Sequence, residues 1–171
     1  MSRRVTTPAD LRRGRRRTQH GCWGHLIVAP LWVAYDANLG TLQRTCDAVG
    51  ACLAVPDTPH YRDAINQGNT LGRRGPCLHR VFDKDSWVRS MHSQGWCIVA
   101  VELAEGAIPL PRLQPARRPT IVLLGHEHHG VPHSMVDLAD ECVEIPMCGV
   151  GASLNVAVAG SLVLYRLAGL S

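Results

Sequence analysis

The sequence lacks long apolar stretches. No segment approaches the roughly 20 unbroken apolar residues that a membrane-spanning helix requires. The first residues are rich in arginine and have no apolar block behind them, so no secretory signal is visible. We therefore expect a cytoplasmic protein with no membrane partner.

Paired cysteine motifs are also missing. Seven cysteines are scattered along the chain without a CxxC pair, which fits neither a disulfide framework nor a zinc ribbon. We interpret them as reduced thiols that mostly pack in the interior. They are Cys22, Cys46, Cys52, Cys77, Cys97, Cys142 and Cys148.

Two nucleotide-binding signatures are absent as well. No GxGxxG follows the first predicted strand and no GxxxxGK[ST] occurs, so neither a classical dinucleotide fold nor a P-loop is supported. The histidine-rich turn at residues 125–130 suggests zinc, but the HExxH spacing fails because Gly130 stands where the second histidine belongs. We expect the chain to bind no metal, and interpret the segment as a turn built by glycines and backbone amides.

The chain has 171 residues, 46% of them hydrophobic, which is enough to form the core of one compact domain. The net charge of +4 is unevenly distributed, since residues 1–20 hold seven arginines against Asp10. We predict a basic, flexible N-terminal arm at residues 1–20 and a single domain at residues 21–171. The arm suits a polyanionic partner, and a solvated disordered tail is the alternative.

Strand and helix patterns alternate after the arm. Apolar runs predict strands at residues 25–35, 51–55, 97–102, 120–124 and 142–145. Helices are predicted at residues 39–49, 83–94 and 154–167, with a short one ending near residue 139 and another at 61–67 inside a surface loop of residues 56–80. This alternation is typical of an α/β fold with a parallel sheet flanked by helices.

Three loops carry the most unusual polar residues. They span residues 38–44, 125–130 and 146–155, and each follows a predicted strand. In parallel sheets, ligands bind where loops leave the carboxyl ends of strands. These loops are therefore the candidate functional site.

The same loops contain three motifs in a fixed order. NLGTLQRTCDAVG begins at Asn38 and has an arginine six positions later, LGHEHHGVP begins at Leu124, and EIPM at Glu144 is followed by SLNVAVA at Ser153. Together they resemble the SpoU, or TrmH-type, branch of the SPOUT superfamily of RNA 2′-O-ribose methyltransferases. The resemblance covers nearly everything after the arm.

The resemblance implies a SPOUT fold, in which the C-terminal segment of the parallel sheet domain is threaded into a trefoil knot, and a homodimer. The implied activity is methyl transfer from S-adenosylmethionine to a ribose 2′-hydroxyl of structured RNA. The segment TCDAVG resembles the tRNA enzymes of the family, so tRNA is favoured over rRNA as the substrate. The residues implied to surround the cofactor are Val101, Gly125, Ile145, Met147, Ser153 and Leu154.

The implied catalytic residues are Arg44, Asn38, Glu127, Ser153 and Asn155. The resemblance makes Arg44 assist loss of the hydroxyl proton while contacting an RNA phosphate. Because an arginine side chain stays protonated, we favour anchoring of the phosphate and polarisation of the hydroxyl as its roles over that of a base.

Local structural roles are the alternatives for the other residues. Asn38 suits capping of the helix that follows, and Ser153 sits where a helix N-cap belongs. Glu127 is expected to fix the second loop by accepting backbone amides. Arg44 would otherwise be an exposed helix arginine.

RNA binding is assigned to basic residues of the predicted helix at 39–49, the loop at 56–80 and the N-terminal arm. The candidate RNA-binding residues are Arg44, Arg73, Arg74, Arg12, Arg13, Arg15, Arg16 and Arg17.

Two other classes of protein stay open beside the enzyme. One is a non-catalytic RNA-binding protein on the same fold, and the other is a metal-dependent hydrolase built on the histidine turn.

Overall fold

The computed structural model describes residues 25–69, 77–151 and 153–171. The arginines predicted for the N-terminal arm, together with Arg73 and Arg74, lie outside the described residues. The domain boundary predicted at residue 20 therefore stays a prediction.

Strands and helices alternate through the described chain. The strands are β1 (Leu26–Ala29), β2 (Cys52–Pro56), β3 (Leu78–Val81), β4 (Cys97–Val101), β5 (Ile108–Pro109), β6 (Thr120–Leu123) and β7 (Glu141–Glu144). The helices are α1 (Asp36–Val49), α2 (Pro59–Gly68), α3 (Lys84–Ser93), α4 (His133–Val136) and α5 (Val156–Leu167), and a 3-10 turn covers Leu110–Arg112.

Within the described ranges, the strands form one parallel sheet in the order β3-β2-β1-β6-β4-β7-β5. β6 lies between β1 and β4, pairing Ile27 with Ile121 on one side and Ile98 with Ile121 on the other. The predicted α/β fold with a parallel sheet is confirmed. Its central strands are continuous apolar runs because both faces are covered.

Two hydrophobic clusters cover the two faces. Successive residues of β1 alternate between them, with Leu26 and Val28 in one cluster and Ile27 and Ala29 in the other. The first cluster contains side chains of α1, α2 and α5, and the second contains side chains of α3 and α4. Helices on both faces leave the two ends of the strands for ligands.

Some predicted boundaries are wrong for local reasons. β1 ends at Ala29, not at residue 35, because Pro30 has no amide hydrogen to continue the strand ladder. β3 was not predicted, and it begins inside the segment of residues 56–80 that was predicted as a loop. It was missed because this outermost strand is only partly buried and lacks a continuous apolar run. The left-handed Gly50, with φ of 77°, ends α1 as expected.

The last helix is tied to the segment after β5. The Arg166 guanidinium donates to the Leu113 carbonyl through Nε at 2.5 Å and to the Pro111 carbonyl through Nη2 at 3.0 Å. Ala116 N donates to the Leu167 carbonyl at 2.8 Å. These bonds fix α5 against residues 110–116, while the threading of the C-terminus into a knot stays a prediction.

Among the residues that the structure describes, no helix is long and apolar enough to cross a bilayer.

Candidate active site

The three candidate loops meet at the carboxyl edge of the sheet. β1, β6, β4 and β7 are consecutive neighbours, and the loops after β6 and β7 are two of the three segments singled out in the sequence. The other segment, residues 38–44, lies within α1, and residues 30–35, which join β1 to α1, are called the first loop from here on. A polar cluster formed by Asn38, Glu127 and Asn155, here called the amide hub, joins these loops. The site therefore depends on side chains from three distant parts of the chain.

Asn38 is the centre of the amide hub. It is 6% exposed. Its Nδ2 donates to Glu127 Oε1 at 2.7 Å, and its Oδ1 accepts from Asn155 Nδ2 at 2.9 Å. Because the amide group has both a donor and an acceptor, one buried residue connects a carboxylate and a second amide.

Glu127 holds the first loop in place. Its Oε2 accepts from Ala34 N at 2.9 Å and its Oε1 accepts from Tyr35 N at 3.1 Å. Burial alone raises the pKa of Glu127, but hydrogen bonds from Ala34, Asn38 and Tyr35 outweigh it and hold the pKa below its ordinary value. Its carboxylate also accepts from its own backbone amide, so Glu127 holds the second loop, as expected, and additionally joins that loop to the backbone before α1.

A further carboxylate that holds the second loop is that of Glu102, which sequence reasoning missed. Its Oε2 accepts from Val131 N at 2.9 Å, and Gly130 has a φ of 68° directly against this carboxylate. Gly125 is just as constrained, because a Cβ there would lie 2.0 Å from the Gly130 carbonyl carbon. A signal was available: Glu102 follows β4 directly, at the edge where the loops meet.

The capping roles expected for Asn38 and Ser153 are wrong. α1 begins at Asp36, so Asn38 lies within its first turn and its side chain serves the amide hub. The N-cap of α5 is Asn155, whose Oδ1 accepts from Ala157 N at 2.9 Å and Val158 N at 3.2 Å. Ser153 is exposed two residues earlier.

Arg44 lies apart from the amide hub, on the exposed side of α1. It lines a groove of about 350 Å³ between α1 and α2, together with Asp36, Thr41 and Gln67. The two helices approach closely at the floor of this groove, where a Cβ on Gly68 would lie 2.6 Å from the Gly40 Cα. The groove thus opens beside the loop that Glu127 holds.

The residues expected around the cofactor follow the ends of three strands. Gly125 is buried, Val101 and Ile145 are half-buried, and Met147 and Leu154 are each 40% exposed. A Cβ added at Gly149, between Met147 and Leu154, would meet nothing within 4 Å. The third loop therefore presents exposed apolar side chains and open space at this edge of the sheet.

The histidine turn is closed by its backbone, in keeping with its interpretation from the sequence. His126 N donates to the Gly130 carbonyl at 3.0 Å, and Gly130 N donates to the His126 carbonyl at 2.9 Å. His128 Nε2 lies 3.1 Å from the Tyr35 hydroxyl, so the turn also touches the first loop.

Tyr61 supports the first loop from α2. Its buried hydroxyl donates to the Val33 carbonyl at 2.5 Å. Burial, together with the nearby Glu127 carboxylate, raises the pKa of Tyr61 to about 12. The loop before α1 is thus held by a neutral phenol on one side and by a carboxylate on the other.

The fold and the site define an α/β protein whose candidate ligand site is built from loops at the carboxyl edge of a parallel sheet. The model of the SpoU rRNA Methylase family matches residues 25–165. The chain belongs to this SpoU family.

Characterised relatives and solved structures agree with this assignment. The tRNA (guanosine(18)-2′-O)-methyltransferase of Aquifex aeolicus is 32% identical over 143 residues, which are 82% of this chain and 67% of that protein. The crystal structure of the A. aeolicus TrmH/SpoU tRNA modifying enzyme has a TM-score of 0.73 at 25% identity, covering 94% of this chain and 83% of that one.

An AdoMet-bound rRNA methyltransferase from Sinorhizobium meliloti has a TM-score of 0.71 at 27% identity, covering 84% of this chain and 56% of that one. The chain spans about two thirds or less of the length of the curated relatives that it matches.

Proposed function

We propose that the chain transfers a methyl group from S-adenosylmethionine to a ribose 2′-hydroxyl of structured RNA, and that tRNA is favoured over rRNA. The observation that carries the proposal is the amide hub, which ties the loops bearing all three SpoU motifs to one edge of the sheet. The names of the Aquifex relatives support a tRNA substrate.

The residues at this edge fit S-adenosylmethionine. Exposed Met147 and Leu154 offer apolar walls to an adenine ring, and the open space at Gly149 admits a ligand. Buried Gly125, with half-buried Val101 and Ile145, would hold the cofactor from the strand ends, and Ser153 would add a hydroxyl. When bound, the cofactor supplies an electrophilic methyl group.

A ribose hydroxyl is a poor nucleophile at neutral pH, so the chain must orient it and support the charge that develops on its oxygen. Asn38, Glu127 and Asn155 give this edge a carboxylate and two fixed amides. We assign them to ordering the loops and to hydrogen bonding at the reacting ribose. The low pKa of Glu127 keeps it ionised at neutral pH.

Arg44 is assigned to the RNA backbone. Its exposed position in the groove between α1 and α2 lets a phosphate approach the guanidinium from solvent. A planar guanidinium binds phosphate with two hydrogen bonds, which fixes the RNA in register. Anchoring of the phosphate and polarisation of the neighbouring hydroxyl are the roles that this position supports.

A second copy of the chain would cover the outer face of α5. Val158, Leu162 and Tyr165 recur at helical spacing and are 45%, 42% and 39% exposed, next to Thr41 of α1. A continuous apolar strip on a small domain is typical of an interface. We propose that this strip forms the homodimer and that Arg73, Arg74 and the N-terminal arginines extend the RNA surface.

Replacement of Arg44 tests the proposal. Arg44→Ala should bind S-adenosylmethionine within about twofold of wild type by calorimetry, yet lose at least about 100-fold in methyl transfer to tRNA, since such losses follow removal of one positioning or charge-stabilising group. The matched control is Arg89→Ala, because Arg89 is exposed on α3, on the opposite face of the sheet. Labelled methyl groups transferred to tRNA and rRNA are counted separately.

Each outcome has a defined meaning. Wild-type turnover in Arg44→Ala would contradict the role of Arg44. Cofactor binding without transfer to either RNA by the wild-type protein would favour the non-catalytic RNA-binding alternative. Transfer to rRNA alone would reverse the preference for tRNA. The cytoplasmic location predicted from the sequence is tested separately, by locating the protein in cells.

A further inference from the structure

Three side chains of metal-binding type meet at the opposite end of the sheet from the amide hub. Cys52 is the first residue of β2, Cys77 immediately precedes β3, and His79 is its second residue. Their ligand atoms all lie within 4.8 Å of one another, with Cys77 Sγ 3.7 Å from His79 Nε2. We call these residues the thiol–imidazole cluster.

The strand register accounts for this meeting. Leu53 pairs with Leu78, and Leu53 N donates to the Cys77 carbonyl at 2.8 Å, so Cys52 and Cys77 stand opposite each other on neighbouring parallel strands. Side chains two residues apart share a face, so His79 points to the same side as Cys77. The backbone alone therefore brings the three ligands together.

The spacing suits one small ion. Zinc binds sulfur at about 2.3 Å and imidazole nitrogen at about 2.0–2.1 Å in tetrahedral geometry, which separates the two ligand atoms by about 3.6 Å. The 3.7 Å between Cys77 Sγ and His79 Nε2 agrees with this separation. Little movement of either side chain is needed to hold the ion.

The three residues of the thiol–imidazole cluster differ in how deeply they are buried. Cys52 is 1% exposed and belongs to the apolar cluster under α3 and α4, and Cys77 packs against it. Cys77 and His79 are half-buried, which leaves an approach from solvent. Thiolate and imidazole are soft and borderline ligands that favour zinc over magnesium or calcium.

We propose that Cys52, Cys77 and His79 form a zinc site with three protein ligands and a fourth position open to water. On binding, each thiol gives its proton to solvent and forms a sulfur–zinc bond, while His79 binds through Nε2 without redox change. The ion would fasten the outermost strand β3 to β2. This site is independent of the proposed methyl transfer, and it revises the expectation that the chain binds no metal.

Cobalt is the probe of choice, because thiolate ligands give Co²⁺ a charge-transfer band and tetrahedral geometry gives it strong visible bands. The full chain is purified on a tag without histidines, stripped with chelator under reducing conditions, and titrated with Co²⁺ and then Zn²⁺. The variants are Cys77→Ser and His79→Gln, both at half-buried positions. Cys148→Ser is the matched control, since Cys148 is exposed in the loop after β7.

One equivalent of cobalt should give both spectral features in wild type and Cys148→Ser, and zinc should displace it. Loss of one ligand should weaken binding at least about 100-fold, because even outer-shell changes cost about 10- to 100-fold. Wild-type affinity in both ligand variants, a spectrum lost in Cys148→Ser, or no binding by wild type with all thiols reduced would overturn the proposal. Far-UV circular dichroism checks that each variant is folded.

Discussion

The two edges of the sheet each hold a carboxylate bound to backbone, but the partners differ. At the carboxyl edge, Glu127 accepts from two backbone amides and the Asn38 side chain. At the amino edge, Asp140 accepts from Ile98 N at 2.8 Å and also pairs with Arg118 at 3.3 Å and His92 at 3.6 Å. The partners of Glu127 are neutral groups, whereas Asp140 also pairs with the Arg118 guanidinium.

The different partners of Glu127 and Asp140 distinguish a candidate ligand site from a contact between strands. Among the residues that the structure describes, no basic side chain forms an ion pair with Glu127, so its negative charge is ordered but not cancelled. At Asp140, the Arg118 guanidinium offsets the negative charge. A carboxylate without a cationic partner attracts a positively charged ligand, whereas the contacts of Asp140 join β4 to the start of β7.

The largest expected effect comes from a steric clash introduced at the carboxyl edge by Gly125→Ala. In Gly125→Ala the new Cβ would lie 2.0 Å from the Gly130 carbonyl carbon, and backbone cannot move aside as a side chain can. We expect a loss of about 3 kcal/mol or more in the free energy of unfolding, measured with urea. Gly149→Ala is the control and should change it by less than about 0.5 kcal/mol, because nothing lies near that position. Equal stability of the two variants would contradict this view of the turn.

The next effect removes the centre of the amide hub. Asn38→Ala deletes the hydrogen bonds to Glu127 and Asn155 in a buried place and should cost about 2–3 kcal/mol of unfolding free energy. A double-mutant cycle with Glu127→Gln should give a coupling energy of about 1 kcal/mol or more. A sum of independent losses would mean that the two residues do not act together.

The two smaller effects come from replacing each of the two carboxylates, and Glu127→Gln is the larger of them. Glu127→Gln should cost about 1–2 kcal/mol of unfolding free energy at neutral pH, since the amide cannot accept at both oxygens. The folded pKa of Glu127 lies below its ordinary 4.5, so its stabilisation is present above about that pH and is lost as the pH falls through the folded value. The difference between wild type and Glu127→Gln should therefore shrink below about pH 4.5.

Asp140→Asn is the matched variant at the amino edge. It should cost about 1 kcal/mol or less, because its ion pairs are partly exposed, and 0.5 M salt should reduce that cost while leaving the cost of Glu127→Gln nearly unchanged. Urea unfolding at two salt concentrations measures both. Equal salt sensitivity would remove the distinction between the edges.

The roles of single residues divide into those readable from the sequence and those that were not. Gly50 as the end of α1 and the backbone-built turn at residues 125–130 follow from glycine spacing, and the structure has both. The capping role of Asn38 was wrong because Glu127 and Asn155, far away in the chain, bind its side-chain amide. That of Ser153 was wrong because the N-cap of α5 is Asn155. Glu102 was missed because its partner, Val131 N, lies 29 residues away.

The sequence by itself determined the alternation of strands and helices, and its motifs identified the family and the three loops. Apolar periodicity and glycine conformation act within a few residues, so these features can be read locally. Only the tertiary structure decided that Asn38 joins Glu127 to Asn155 and that Cys52 faces Cys77 and His79. Hydrogen bonds and ligand spacing need atoms within a few ångströms, and strand order and register set those distances between residues far apart in the chain.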